Sequence, residues 1–311
     1  MNANILVDTT DLTREEWLEY RKQGIGGSDV AAILGISKWK SEIEIWITKT
    51  STEPVEQETN EAIEWGNILE PVIRNHFAEV TGKPVVEVKA MLQHPEHTFM
   101  LADVDGLTVD DDGNPAILEI KTASEYKRAE WESEIPAYYM TQVQHYLHVT
   151  GVSKAYVAVL IGGNTFRIYE VDADAEIQTM LVEVERNFWS KVINNICPEM
   201  DGSDAAKAYL DKKYAGGIKE QMELPEEAYQ YFMDYLEASA MEDSAKVRKQ
   251  EAGNRIKELM GDHNTAKCKE YTVSWKPVTS ERLDTKALKE ELPEVYEKYA
   301  KSSTSRRFTM K

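Results

Sequence analysis

Asp105-Gly106, followed thirteen residues later by Glu119-Ile120-Lys121, restricts this chain more than any other feature. The stretch TVDDDGNPAILEI between them reads as a β-hairpin: a short strand, an Asp/Gly/Asn/Pro turn and an apolar strand. Side chains alternate along a strand, so Glu119 and Lys121 fall on one face and Ile120 on the other. Charges inside an Ala-Ile-Leu-x-Ile strand are costly to bury unless they meet each other, a metal ion or a phosphate. Two carboxylates and an ammonium so placed suit metal-assisted cleavage of a phosphodiester. The acids hold a divalent cation, and the lysine orients or deprotonates the attacking water. A surface hairpin with an exposed Glu–Lys pair fits the same residues, so the flanking sequence has to decide.

Three flanking segments bear on it. In WLEYRKQGIGGSDVAAILGIS, Gly26-Gly27-Ser28-Asp29 ahead of Val30-Ala31-Ala32-Ile33-Leu34 predicts a glycine-rich turn feeding a helix capped by Ser28 or Asp29. Free amides at a helix start bind anions, and Arg21 is near enough in sequence to complete a phosphate pocket. An ordinary capped helix reads from the same residues. In EWGNILEPVIRNHFAEVTGKPV, Ile68, Leu69, Val72, Ile73, Phe77 and Val80 recur at helical spacing. Glu70 lies at the edge of that stripe, turned either to the hairpin as a further ligand or to solvent. Pro71 predicts a kink or a helix start. In AYYMTQVQHYLHVTGVSKAYVAVLIGG, a helix carries Tyr139, Gln142, Tyr146 and Val149 at steps of three and four and ends near Gly151. Gln142 and Tyr139 share a face suited to holding Lys121 or a phosphate, or simply to core packing. The strand AYVAVLI, a Gly162-Gly163-Asn164 turn and the strand TFRIYEV follow.

In this order and spacing, the blocks resemble the phage exonucleases of the YqaJ/lambda-exonuclease type, within the PD-(D/E)xK nuclease superfamily. The resemblance runs over roughly residues 12 to 195. W-x-x-x-R before G-I-G-G-S-D-V is similar to the family's phosphate-binding block, and WG-x-x-x-E to its helix glutamate. D-G with L-E-I-K is similar to its catalytic core, and Y-x-x-Q-V-Q-x-Y-L-x-V-T-G to its following helix. The resemblance implies an α/β fold: a restriction-endonuclease-like core in which a mixed central sheet is flanked by helices; the residues beyond it read as a C-terminal helical and small α+β extension, to which the resemblance gives no role. It implies that Glu70, Asp105 and Glu119 bind Mg²⁺, with Mn²⁺ substituting and the Ile120 backbone carbonyl assisting. Lys121 would then position and activate water, Gln142 would orient Lys121 with Tyr139 beside it, and Arg21 and Ser28 would grip a 5′-phosphate. Tyr146 fits the Q-x-x-x-Y signature of related RecB-type nucleases and competes with Tyr139 for the supporting role. Asp103, Asp110, Asp111 and Asp112 compete with Asp105, which the following Gly106 favours.

The activity so implied is 5′-to-3′ digestion of one strand of linear duplex DNA, leaving 3′ tails for phage-type recombination. The implied partners are duplex DNA ends, a single-strand annealing protein and further copies of the chain in a ring-shaped trimer. Two other readings stand beside it. One is a structure-specific or restriction-like endonuclease on the same core. The other is a non-catalytic DNA-binding or scaffold protein with a relict site, against which the intact Glu70, Asp105, Glu119 and Lys121 argue.

Composition narrows the remainder. With 311 residues there is room for one sizeable core and an appended module. A net charge of -19 disfavours non-specific coating of DNA and suits an enzyme that grips DNA locally through a basic patch and bound Mg²⁺. From Met260 onward the balance reverses, with 11 Lys/Arg against 8 Asp/Glu. Two cysteines, Cys197 and Cys268, exclude a disulfide framework and a four-cysteine iron–sulfur site. The six histidines show no zinc spacing, and His94 and His97 read as surface residues of a Pro-Glu loop. Without a signal peptide or an apolar run near membrane-spanning length, a soluble cytoplasmic protein of phage or prophage origin is expected, with no membrane partner.

Breaks set the expected organisation: a nuclease domain over 1–200, a helical region over 201–262 and a small α+β module over 263–311. Ser51–Asn60 is an acidic loop between two helices. Ala205–Gly217 reads as helix, and a long polar helix runs from Pro225 toward Gly261 with an apolar stripe of Tyr229, Phe232, Met233, Leu236 and Ala240. A strand over Lys269–Lys276, a helix over Asp284–Tyr299 and a strand over Arg306–Met310 complete the expectation. Ser302–Arg307 with Phe308 could contact DNA or pair as a tail strand with Tyr271–Trp275.

Overall fold

The segment ILEIK lies in a central strand, covered by a helix on each face. The computed structural model describes residues 1–52, 60–218, 220–281, 283–301 and 306–310. It divides into two compact units, Met1–Lys213 and Tyr214–Lys311. The first unit runs β1 (Asn4–Asp8), α1 (Arg14–Arg21), β2 (Ile25–Gly26), α2 (Gly27–Ile33), α3 (Glu42–Thr50) and α4 (Glu61–Thr81). It continues with β3 (Ala90–Gln93), β4 (Met100–Ala102), β5 (Gly106–Val109), β6 (Pro115–Ala123) and a 3-10 segment (Glu125–Trp131). α5 (Ala137–Thr150), β7 (Lys154–Ile161), β8 (Thr165–Asp172), α6 (Ala175–Ile193) and α7 (Asp204–Lys213) complete it.

Two four-stranded sheets carry this unit. One has the order β5-β6-β7-β8, the other β1-β3-β4-β2. In the first, β5 and β6 form the expected hairpin, with Gly106 opposite Leu118 and Val109 opposite Pro115. Gly113 supplies the positive φ of 84° that its turn requires. β6 then pairs in parallel with β7, from Ile117 opposite Ala155 to Ala123 opposite Ile161, and β7 returns antiparallel to β8. The parallel step needs a crossover, and α5 provides it. Mixed sheets flanked by helices are the α/β architecture expected from the sequence.

Alternation along β6 sorts its neighbours. Leu118 and Ile120 pack with Ile73 and Phe77 of α4, while Ile117 packs with Val143, Tyr146 and Leu147 of α5. Each such side chain contributes about 1.5–3 kcal/mol by leaving water. Glu119 and Lys121 therefore belong to the α5 face. The chain passes from one sheet to the other through Asp103–Asp105, between the end of β4 and the start of β5. α2 packs closely on α5 because residue 27 is glycine: a Cβ there would lie 2.6 Å from the Tyr146 ring and 2.9 Å from Gln142 Cγ.

Several local expectations are corrected. Pro71 neither starts nor ends a helix: α4 runs unbroken through it to Gly82, whose φ of 67° ends the helix in the left-handed conformation. The apolar stripe of α4 is wider than its buried face, since Ile73 and Phe77 are buried while Ile68, Val72 and Val80 are exposed. α2 is capped by Gly26 rather than by Ser28 or Asp29, and the Asp29 carboxylate reaches back to accept from the Gly26 amide at 3.1 Å. His94 and His97 are not isolated surface residues. They stack on each other at 4.8 Å, and His94 stacks on His148 of α5 at 4.8 Å.

In the second unit, α8 (Ala228–Met260) is the long polar helix, and β9 (Thr265–Cys268) pairs antiparallel with β10 (Tyr271–Ser274). Lys269, at φ 52°, turns that hairpin, so the strand expected from Lys269 begins two residues later. α9 (Thr285–Glu291) and α10 (Pro293–Tyr299) replace one expected helix, divided at Leu292-Pro293 because proline starts a helix better than it continues one. Arg306–Met310 is not a strand, and the neighbour of β10 is β9. Residues 53–59 of the acidic loop, and 302–305 of the tail suggested to contact DNA, lie outside the described residues. Among the described residues no helix is long and apolar enough to cross a membrane.

Candidate active site

Strand period two brings Glu119 and Lys121 to one face of β6, where Lys121 Nζ donates to Glu119 Oε1 at 2.6 Å. Glu119 is 1 % exposed, yet its Oε2 has no hydrogen-bond partner among the described residues. From α5, Gln142 Nε2 donates to Glu119 Oε1 at 2.8 Å and lies 3.2 Å from the Tyr146 hydroxyl. Gln142 thus acts on Lys121 through the carboxylate they share, rather than by direct contact. The ring of Tyr139, one turn earlier on α5, lies beneath the Lys121 ammonium at 4.9 Å. The two tyrosines that compete in the sequence take different places, Tyr139 at the lysine and Tyr146 at the glutamine.

Asp105 reaches the cluster from the turn between the two sheets. Its Oδ2 accepts from the Ile120 amide at 2.7 Å, which ties the carboxylate to the middle of β6. Glu70 approaches from α4, half-buried and paired with Arg74 one turn on. Of the other aspartates, Asp103 faces Arg21, Asp110 closes the hairpin turn by accepting from Asn114 at 2.7 Å, and Asp111 pairs with Lys83 at 2.5 Å. Asp112 only donates its amide to Asp110.

The electrostatics of this face are those of too many acids for the cations present. Burial, followed by the nearby Asp105 charge, pushes the Glu119 carboxyl up to about 8. Burial also raises Asp105 above its ordinary range despite Lys121 and the Ile120 amide, and raises Glu70 with help from Asp105. Burial disfavours the Lys121 ammonium, but Glu119 and Asp105 more than reverse this and hold it protonated.

A hard divalent cation fits the donor chemistry: carboxylate oxygens, one of them buried without a partner, in a cluster that gains from added positive charge. Asp105 and Glu119 are the donors best placed to hold it. Among the described residues no three His, Cys, Asp or Glu side chains already stand together as a metal cage. On the α4 side the Glu70 carboxylate is engaged by Arg74.

A second cluster adjoins the first through Tyr146 and Gly27. Arg21 Nη2 lies 3.2 Å from Ser28 Oγ and 3.3 Å from Asp29 Oδ2, and Nε lies 3.8 Å from Asp103. The structure therefore brings together the two residues expected to form a phosphate pocket. Arg21 Nη1 has no hydrogen-bond partner. Lys49 is absent from the expectations, and its Nζ is buried from α3 against Asp29 Oδ2 at 2.8 Å and the Arg21 carbonyl at 2.7 Å. Burial lowers its pKa to about 8 even beside Asp29. Burial raises the Asp29 carboxyl, but Lys49 and Arg21 together hold it well below the usual range. Asp29 is thus a charged anchor for two cations. Trp17, one turn before Arg21 on α1, stacks under the same guanidinium at 5.6 Å. A lone lysine on an amphipathic helix carries no local signal for such a contact, whereas the Trp17-x-x-x-Arg21 spacing did.

Residues 16–153 match the family described as the YqaJ-like viral recombinase domain. The uncharacterized protein YqaJ of Bacillus subtilis (strain 168) is 43 % identical over 318 aligned positions, which span 99 % of this chain and 98 % of that protein. Among solved structures, the alkaline exonuclease LHK-Exo from Laribacter hongkongensis superposes with a TM-score of 0.50 at 22 % identity. That match covers 65 % of this chain and 98 % of the exonuclease. A second structure of LHK-Exo, in complex with dAMP, matches to the same extent.

Proposed function

The chain belongs to the YqaJ family of viral recombinase-like proteins, and from that premise we propose that its first unit is a Mg²⁺-dependent exonuclease that digests one strand of linear duplex DNA from the 5′ end. One observation carries the reading: a buried carboxylate, Glu119, is held between Lys121 and Gln142 with its second oxygen unpartnered, beside Asp105. An unpartnered buried acceptor costs stability; Glu185 Oε2 shares that state beside His145, and what sets Glu119 apart is the second carboxylate, Asp105, next to it. The shared fold with LHK-Exo, and the dAMP in that protein's structure, support a nucleotide product.

Asp105 and Glu119, with Glu70 and the Ile120 carbonyl as further donors, would hold Mg²⁺ or Mn²⁺, which would supply polarisation of the phosphoryl oxygen and acidification of water. The chain's own groups do the rest. Lys121, kept as an ammonium, positions the attacking water and donates to the phosphoryl oxygen as charge develops, and the proton the water loses passes to solvent. Gln142 fixes the Glu119 rotamer, and Tyr139 limits where the ammonium can go. Arg21 and Ser28 bind the terminal 5′-phosphate, with Asp29 holding the guanidinium and Lys49 holding Asp29 and the Arg21 backbone carbonyl. That grip sets polarity, because only a strand whose 5′ end is seated presents its next phosphodiester to Lys121.

The same proposal includes a homo-oligomer, a ring trimer around the duplex, and a single-strand annealing protein that takes the product strand. The exposed Trp65, Ile68 and Val72 of α4 supply apolar surface for a subunit contact. The test is degradation of linear duplex DNA with 5′-phosphate or 5′-hydroxyl ends beside closed circular DNA, with Mg²⁺ or EDTA and a Lys121→Ala control. Loss of the phosphorylated linear form alone, dependent on Mg²⁺ and on Lys121, is the expected result. Cutting of the circle would make the protein an endonuclease, and cutting of none would make it a DNA-binding protein.

A further inference from the structure

Trp39, in the turn between α2 and α3, leaves 56 % of its surface exposed. It is not an isolated surface aromatic. Its ring meets the edge of Tyr138 at 5.0 Å and lies tilted against Tyr139 at 6.0 Å, and Tyr139 is the ring under the Lys121 ammonium. One aromatic ring therefore separates an exposed indole from the lysine at the candidate active site. Trp131, fully buried, backs Tyr139 at 5.4 Å, so this row of rings is supported from the core.

Cations surround the indole. Lys127 Nζ lies over the Trp39 ring at 5.1 Å, Lys38 Nζ lies over Tyr138 at 5.2 Å, and Lys40 is exposed on the same turn. Two acids of the same stretch are already engaged: Glu130 by Lys38 at 2.9 Å and the Tyr138 hydroxyl at 2.6 Å, and Glu125 by Arg128 at 2.6 Å. Lys40 and Lys127 make no salt bridge among the described residues. In a chain of net charge -19, Lys38, Lys40 and Lys127 stand out as cations grouped around one exposed aromatic. The core of a protein–protein interface is depleted of lysine, whereas here lysines lie directly over the rings. A lysine rim around an exposed indole instead matches single-stranded nucleic acid, whose bases stack on aromatics while its phosphates pair with cations.

We propose that Trp39 is a nucleobase-stacking residue: the base of an unpaired nucleotide beside the scissile phosphate lies on its indole, and Lys127 and Lys40 take the adjoining phosphates. The cation–π contact of Lys127 holds the ring in place until then, and the nucleotide replaces it with base on indole and phosphate on ammonium. This inference rests on the nuclease reading and deepens it, because stacking of an unpaired base favours the frayed end from which digestion starts.

The experiment is a binding cycle between residue and base, read by fluorescence anisotropy with Ca²⁺ in place of Mg²⁺. The probes are a 5′-phosphorylated duplex with two unpaired terminal nucleotides and the same duplex with those two nucleotides abasic. Wild type should prefer the intact probe by about tenfold, the scale of one base–aromatic stack. Trp39→Ala should bind both probes as weakly as wild type binds the abasic one, and Trp39→Phe should keep most of the preference. If Trp39→Ala weakens both probes equally, or leaves the preference intact, the proposal is overturned. Cleavage by wild type in Mg²⁺ is scored in parallel. Cleavage without a Trp39-dependent preference refutes the stacking alone, and a Trp39-dependent preference without cleavage refutes the nuclease reading alone.

Discussion

The guanidinium of Arg21 occupies the space that a Cβ on Gly26 would need, so the glycine at position 26 is what lets the arginine lie against Ser28 and Asp29. The requirement is steric and not conformational, since Gly26 has a φ of -98° that any residue adopts. Gly26→Ala should therefore fold and yet displace the guanidinium, because the far end of a long side chain yields before the backbone does. A charge-assisted hydrogen bond is worth roughly 1.5–3 kcal/mol, so preference for 5′-phosphorylated over 5′-hydroxyl ends should drop by about tenfold or more. The ratio of kcat/KM on the two ends measures it, with Arg21→Ala as reference. Equal loss on both ends would show that Arg21 does not read the phosphate.

The hairpin and its facing charges were legible because they depend on period two and on turn residues between Asp110 and Asn114, all local. The crossover helix was legible for a related reason: Gln142 and Tyr146 are one turn apart, and Gly151 ends the helix at φ 65°. The sheet of β1, β3, β4 and β2 was not. Its strands are two to five residues long, too short for alternation to separate from loop, and its register comes from tertiary pairing. The cap of α2 was misread because Ser28 and Asp29 are good capping residues, while the partners of Asp29 proved to be Lys49 and Arg21 from other helices. Burial of such a network is decided in three dimensions.

Lys121→Ala should abolish cleavage, lowering kcat by at least about a hundredfold, since it removes the group aimed at developing charge. Glu119→Gln should be as damaging for a different reason. The amide keeps the shape and the contact with Gln142 but loses the charge that holds both the lysine and a cation. Both variants should retain the wild-type circular dichroism spectrum, because neither removes core volume. Near-normal cleavage by either would place the chemistry elsewhere.

Stability should depend on pH in a direction set by Glu119. Its folded-state pKa is raised to about 8 from the ordinary 4.5, so between those values the folded state binds more protons than the unfolded state. Under linkage, the metal-free protein then loses stability as pH rises from about 4.5 to about 8, and the raised Asp105 acts in the same sense. Mg²⁺ bound as proposed would remove the penalty by supplying the missing positive charge. The gain in Tm on adding Mg²⁺ should therefore be larger at pH 8 than at pH 5.5, and binding should release protons. A metal-free Tm that rises over this window would exclude Glu119 as the controlling group.

His145 and Glu185 form a fully buried pair, with His145 Nδ1 at 2.9 Å from Glu185 Oε1 and Nε2 at 2.8 Å from the Leu101 carbonyl. The pair ties α5 to α6 and to β4, the strand that leads into Asp103–Asp105. Its loss should therefore affect the spacing of Gln142 and Asp105 as well as stability. Removing one partner of a buried pair costs about 3–5 kcal/mol because the other is left uncompensated. His145→Ala should lose that much in urea unfolding, and kcat should fall at temperatures where the variant is still folded. Glu185→Gln should lose less than about 1.5 kcal/mol, since an amide can donate to a neutral imidazole whose Nε2–H still serves Leu101. Equal destabilisation by the two changes would mean that the charge of the pair, rather than its hydrogen bonds, holds α5 in place.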